Sequence, residues 1–177
     1  MNTQKQHNEP ATFEKVWQMF QETDKKFQET DKKLNKLEGF FSSQWGKFVE
    51  SLIEGDLVNL LQKRELELEE TYIRLKRMYQ DEEIEIDIVA ANGKDVVAVE
   101  VKTNLKVDDV SIFLDKLNKF KKVFKKYKDN HVYGAIAYLK VDEEADKYAY
   151  RQGLFVIKAT GNSAIITNDK NFKPKEF

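Results

Sequence analysis

The sequence contains no cysteine, and this one absence excludes disulfides, thiolate nucleophiles and thiolate-held zinc together. Histidine is nearly absent as well: His7 and His131 are the only two. A histidine-based metal cluster is therefore excluded, and a Ser-His-Asp arrangement would have to use His131. No apolar run approaches the length of a membrane span, and the N-terminus lacks a signal-peptide core, so the expected location is the cytoplasm. Excess charge is missing too. The formal net charge is -1, which gives no bulk support to nucleic-acid binding, so any such surface must come from local clustering. What remains for chemistry is carboxylates, lysines and a hard, oxygen-seeking cation.

The chain has 177 residues, 41% hydrophobic and 34% charged, enough for one compact domain with a polar surface plus an appendage. Residues 1–10 are polar, end in Pro10 and read as a disordered leader. An internal repeat follows, FQETDKK at 20–26 and again at 27–33. Seven residues is the coiled-coil period. With Phe20 at position a, Phe13, Phe27, Leu34 and Phe41 also fall at a, and Val16, Thr23, Thr30 and Leu37 fall at d. Lys26 at g then faces Asp31 at the next e, and Lys33 faces Glu38; these signs suit a parallel bundle of copies. The expectation is a homo-oligomeric coiled coil through residues 11–41, weakened by the threonines at d. The alternative is an amphipathic helix that folds back on its own domain. Gly39 and Ser42-Ser43 predict a break before the main domain, 42–177.

Residues 44–64 predict a helix whose apolar face carries Trp45, Phe48, Val49, Leu52, Ile53, Leu57, Leu60 and Leu61. Strands are predicted at 71–79, 83–91 and 95–103, the last two joined across Asn92-Gly93. A lysine-rich helix at 108–128, a buried strand at 131–141, a short helix at about 142–152 and strands at 154–159 and 163–167 complete the order. This is a mixed α/β sheet.

A two-residue turn at Asn92-Gly93 sets Ala91 opposite Lys94 and Asp87 opposite Ala98, with Glu100 its diagonal neighbour. Side chains alternate along a strand, so Glu100 and Lys102 share a face, and this pairing puts Asp87 on it too. The other face collects Ile84, Ile86, Ile88, Ala90, Val97, Val99 and Val101. A four-residue loop keeps the same parity. Two carboxylates and an ammonium thus converge. Mg²⁺ takes oxygen ligands and needs only one or two protein carboxylates besides substrate phosphate. A cation of this kind activates water, and a neighbouring lysine positions that water or screens the phosphate. The backbone carbonyl of Val101 is a further candidate ligand. The alternative is a solvated strand face where Glu100 and Lys102 merely offset each other.

Asp87, followed after the hairpin by Glu100-Val101-Lys102, resembles the D…E-x-K signature of the PD-(D/E)XK nuclease superfamily. The order of helix, strands, helix and strand resembles its αβββαβ, restriction-endonuclease-like core. Trp45-Gly46-Lys47-Phe48-Val49-Glu50 is similar to a G-x-x-x-E stretch that the family often carries on its first helix, with Glu54 as fallback. With the coiled-coil repeats in front, the chain resembles an uncharacterised prokaryotic branch of the superfamily. Glu85-Ile86-Asp87 departs from the Pro-Asp form, and the Gln-x-x-x-Tyr motif of RecB-like exonucleases is not found. The resemblance implies a metal-dependent nuclease acting on nucleic acid, most readily DNA. It implies that Asp87, Glu100 and Glu50 hold Mg²⁺ or Mn²⁺ and that Lys102 orients or activates water.

Further cations are candidate nucleic-acid contacts: Arg74 and Lys76 on the first strand, Lys122 and Lys126 on the lysine-rich helix. An ordinary solvated face is the alternative for the lysines. The competing function is a catalytically silent scaffold that keeps the nuclease-like fold and binds nucleic acid or a partner.

Overall fold

The computed structural model describes residues 13–161 and 163–177; the expected leader at 1–10 lies outside the described residues. The chain divides into two compact units, 1–42 and 43–177. One helix, α1 (Phe13–Gln62), contributes to both, so the break expected at Gly39 and Ser42-Ser43 does not interrupt it. Neither serine nor a lone glycine stops a helix that has i→i−4 partners on both sides, and a Cβ added at Gly39 would meet nothing within 4 Å.

In the first unit, α1 carries exposed Phe20, Phe27, Leu34 and Leu37. The hydroxyls of Thr23 and Thr30 turn back onto their own helix, bonding the Met19 carbonyl at 2.7 Å and the Lys26 carbonyl at 2.8 Å. The side chains of Phe13, Glu38, Phe41 and Trp45 lie outside the described residues.

The second unit is a six-stranded mixed sheet in the order β1-β2-β3-β4-β5-β6. Its strands are β1 (Glu70–Tyr79), β2 (Glu82–Ala91), β3 (Asp95–Leu105), β4 (His131–Val141), β5 (Phe155–Thr160) and β6 (Ser163–Ile166). β1 to β3 run antiparallel, β3 to β5 parallel, and β6 returns antiparallel. Between them lie α2 (Val107–Val123) and α3 (Ala145–Arg151). The predicted helix at 108–128 ends early: it leaves the α conformation at Phe124, and Lys125–Tyr127 form a 3₁₀ turn. Residues 142–144 likewise stay outside α3, because Glu143 and Glu144 adopt positive φ.

Two apolar layers sandwich the sheet. On one side the i, i+4 stripe Val49, Ile53, Leu57 and Leu61 of α1 packs with Ile88, Ala90, Val97 and Val99. Phe48, expected on that stripe, is exposed instead. On the other side Val110, Phe113, Leu117 and Phe120 of α2 pack with Ile84, Ile86, Val89, Val96 and Ala98. Val-rich strands covered on both faces read as continuous apolar runs, which is why β3 and β4 show so little alternation.

β2 does not keep one alternation throughout. Ile84 and Ile86 face α2, whereas Ile88 and Ala90 face α1. The single apolar layer expected from Ile84 to Ala90 is therefore split, and the phase changes at Asp87. The ladders change at the same place. The β1–β2 register passes from Ile73–Ile88 to Leu75–Ile86 with no pair at Arg74 and Asp87, and the β2–β3 ladder stops at Ile88–Val99.

Candidate active site

The hairpin between β2 and β3 closes through four residues, Asn92 to Asp95, not two. Ala91 pairs with Val96 and Ile88 with Val99, so the expected pairing of Asp87 with Ala98 is corrected: Val89 takes Ala98. The side chain of Asn92 decides this. Its Oδ1 accepts from the backbone N–H of Lys94 at 2.8 Å and of Asp95 at 2.6 Å, a local turn that outcompetes the tighter one. Parity survives, and Asp87 becomes level with Glu100 instead of diagonal to it.

Asp87 then does what a backbone carbonyl would have done. Its Oδ2 accepts the Val101 N–H at 2.7 Å, where the β2–β3 ladder has already ended. In an antiparallel pair the N–H and C=O of one residue point to the same side of the strand. The Val101 carbonyl therefore opens toward the same gap. Glu100 and Lys102 share the α2 face, as alternation predicts: Glu100 bonds Lys116 of α2, and Lys102 meets Asp109 of α2. Asp87 joins them by reaching into the opened ladder, in the plane of the sheet.

Glu100 is 5% exposed and has an ammonium on each oxygen: Lys102 Nζ at 3.1 Å from Oε1, and Lys116 Nζ at 2.9 Å from Oε2. Lys102 reaches on to Asp109 at 3.6 Å, and Asp109 in turn accepts the Lys106 N–H at the start of α2 at 2.9 Å. Burial disfavours the Lys102 ammonium, but Glu100, Asp109 and Asp87 more than offset it, so its pKa is raised. Among the described residues, no cation pairs directly with Asp87. Burial, then the charge of Glu100 and then that of Glu50 push its pKa up to about 6, against the Val101 hydrogen bond and Lys116. Its second oxygen has no hydrogen-bond or ion-pair partner among the described residues.

Glu50 faces this group from α1, and its carboxylate is gripped by Arg74. The guanidinium Nε lies 3.1 Å from Oε2, and Nη2 lies 2.9 Å from Oε2 and 3.2 Å from Oε1. Glu54, the fallback, accepts instead from the Thr71 hydroxyl at 3.3 Å. Lys76 points elsewhere, to Glu83 and Glu85. Lys122 is exposed, and Lys126 lies in the 3₁₀ turn with its ammonium over the rings of Tyr72 and Tyr127. The site thus gathers Asp87, Glu100, Val101, Lys102, Glu50 and Arg74, and leaves out Lys76, Lys122 and Lys126. Sequence reasoning missed Lys116 and Asp109 as site residues. Lys116 stands between Phe113 and Leu117 on the buried stripe, and that flanking position was the available signal.

No family model matches the chain, and no curated protein matches it in sequence. Several solved structures are similar in part, three of them as follows. AF1548, a protein of unknown function, is 21% identical over 58% of this chain and 54% of its own, with a TM-score of 0.38. A repair endonuclease from Pyrococcus abyssi is 19% identical over 62% of this chain and 46% of its own, with a TM-score of 0.38. The EndoMS–dsDNA2 complex gives 14% identity over 62% and 44%, with a TM-score of 0.39. The chain therefore spans about half the length of these structures, and the likeness decides nothing about its function.

The donor set fits a hard divalent cation in its chemistry. Asp87 offers an unpartnered oxygen among anions, and Glu100 and the Val101 carbonyl border the same gap. Among the described residues no three carboxylates or imidazoles are grouped to hold a metal as they stand. Two carboxylates with a carbonyl suffice for Mg²⁺, which keeps waters and takes substrate oxygens.

Proposed function

We propose that this chain is a divalent-metal-dependent nuclease with a restriction-endonuclease-like core, hydrolysing phosphodiester bonds of nucleic acid, DNA foremost. The observation that carries this reading is the opening of the β2–β3 ladder at Asp87, which sets an under-neutralised carboxylate beside Glu100 and Lys102. Asp87, Glu100 and the Val101 carbonyl would hold Mg²⁺ or Mn²⁺. The bound cation supplies Lewis acidity, activating water and neutralising charge on the phosphate. Lys102, anchored by Glu100 and Asp109, keeps its ammonium directed at the same place, where it orients the attacking water and screens developing charge. Lys116 gives Glu100 a second cation, because a buried carboxylate is costly unless both its oxygens are paired.

The test is cleavage of labelled duplex and single-stranded oligonucleotides with Mg²⁺, with Mn²⁺ and with chelator. Asp87→Ala and Lys102→Ala should each lose activity while keeping their secondary structure. Cleavage unchanged in both variants would refute the assignment.

A second reading has its own support: both oxygens of Glu100 are already engaged by lysines, as in a silent nucleic-acid-binding scaffold. Calorimetry with Mn²⁺ on the wild type and on Glu100→Gln separates the two. Carboxylate-dependent binding favours the enzyme; its absence in both favours the scaffold.

We further propose that residues 11–41 pair with copies of themselves. Phe20, Phe27 and Leu34 repeat at seven-residue spacing, and they are 65%, 66% and 57% exposed. Lys26 and Asp31 carry the complementary charges that a parallel neighbour requires.

A further inference from the structure

Arg74 is the one residue within β1 with a left-handed backbone, at φ 53. Arginine gains nothing from that region, and a residue held there is strained, so surrounding structure must over-determine it. The distortion coincides with the site. Arg74 occupies the register position opposite Asp87, where the β1–β2 ladder has no pair, although pairing is regular on both sides. A left-handed residue inside a strand leaves the regular alternation and re-aims its side chain. Here the side chain ends on Glu50 of α1 and uses both carboxylate oxygens. A carboxylate gripped in this way is charge-compensated, so it is a weaker ligand for a cation while the guanidinium stays. Glu50 and Arg74 both lie close enough to Asp87 to feel its charge. The third carboxylate is therefore near Asp87, yet Glu50 completes no three-carboxylate group among the described residues.

We propose that Arg74 is a positioning residue that holds Glu50 out of the cation site and competes with a divalent cation for its carboxylate. The inference rests on the metal reading above. Without a divalent cation, the guanidinium neutralises Glu50 from the side of β1, as Lys102 of β3 and Lys116 of α2 neutralise Glu100. Binding of a cation at Asp87 and Glu100 favours exchange of the guanidinium for the metal on Glu50. The Arg74 side chain is 40% exposed and has a route outward.

The experiment is calorimetric titration of the full chain with Mn²⁺ alone, for the wild type, Arg74→Gln, Glu50→Gln and the double variant. Removing the competitor should tighten Mn²⁺ binding by about fivefold or more. That gain should vanish in the Glu50→Gln background, where there is no carboxylate to release. A merely structural arginine predicts the opposite direction, because a loosened site binds less tightly. Should Arg74→Gln fail to fold, Arg74→Gly accepts the positive φ and Arg74→Lys keeps the charge without the fork; Gly should show the full gain and Lys part of it. Equal or weaker binding in the Arg74 variants, with a wild type that does bind, overturns the competition and leaves the metal reading standing. No Mn²⁺ binding by any variant overturns both.

Discussion

Burial and two neighbouring carboxylates hold Asp87 at about 6, where an ordinary aspartate sits at 3.8. A raised folded-state pKa means that the folded chain binds this proton more tightly than the unfolded one. The charged form therefore opposes folding fully above pH 6, and that opposition fades as the pH falls toward 3.8. Asp87→Asn keeps an acceptor for the Val101 N–H and removes the charge. It should raise stability at pH 7.5 by on the order of 2–3 kcal/mol, with the gain shrinking between pH 6 and pH 4. Urea denaturation at several pH values measures this, and a pH-independent difference would contradict it. The same variant should not cleave, which is the usual conflict between stability and a working site. The two lysines on Glu100 should separate in the other direction. Lys116→Ala leaves a buried acceptor short of a partner and should cost about 1–3 kcal/mol. Lys102 is more exposed and its loss should show mainly in cleavage. The residue types at the site were legible: an acid, an acid and a lysine at alternating positions. Lys116, Asp109 and the Arg74–Glu50 grip were not, since each joins elements far apart in sequence and no local pattern encodes such a meeting.

At the scale of elements, strand alternation and helical periodicity placed every strand and helix of the sheet unit close to where it stands. β4 begins at His131 as expected, with the ring Nδ1 2.9 Å from Glu176. The failures are at ends and at one interior point. α2 stops at Phe124, whose φ of -100 and ψ of 72 leave the helical region, and Tyr127 then stacks on Phe120 at a centroid distance of 5.7 Å. The phase change in β2 escaped the sequence because Ile84, Ile86, Ile88 and Ala90 are apolar throughout; alternation is silent where both faces are buried. The junction between α3 and β5 gives a prediction of this scale. Gly153 has φ 81, and an added Cβ would meet Lys175 Cβ at 2.5 Å and its backbone nitrogen at 3.0 Å. The C-terminal segment is tied down there by the Lys175 N–H on the Gly153 carbonyl at 2.9 Å. Gly153→Ala should destabilise by about 1–3 kcal/mol. It should also raise proteolytic cleavage in the last ten residues, read by limited proteolysis and mass spectrometry.

For the whole molecule, exposed Phe20, Phe27 and Leu34 at seven-residue spacing are a cost to a monomer and a seam for an oligomer. Sedimentation of the full chain should give a mass above 20.8 kDa, and Phe20→Glu with Phe27→Glu should return it to that of one chain. A wild type that sediments as a monomer would remove the oligomer. The sequence by itself determined the repeat, the order of helices and strands, the absence of thiol chemistry and of a histidine-based metal cluster, and the common face of Glu100 and Lys102. All of these are periodic or compositional, and period and composition are local properties of a chain. Only the tertiary structure decided that the hairpin closes over four residues, that the ladder opens at Asp87, and that Arg74 strains its backbone to hold Glu50. Those outcomes depend on which hydrogen bonds win when strands and helices meet: Asn92 against a tighter turn, and the Asp87 carboxylate against a backbone carbonyl for the Val101 N–H.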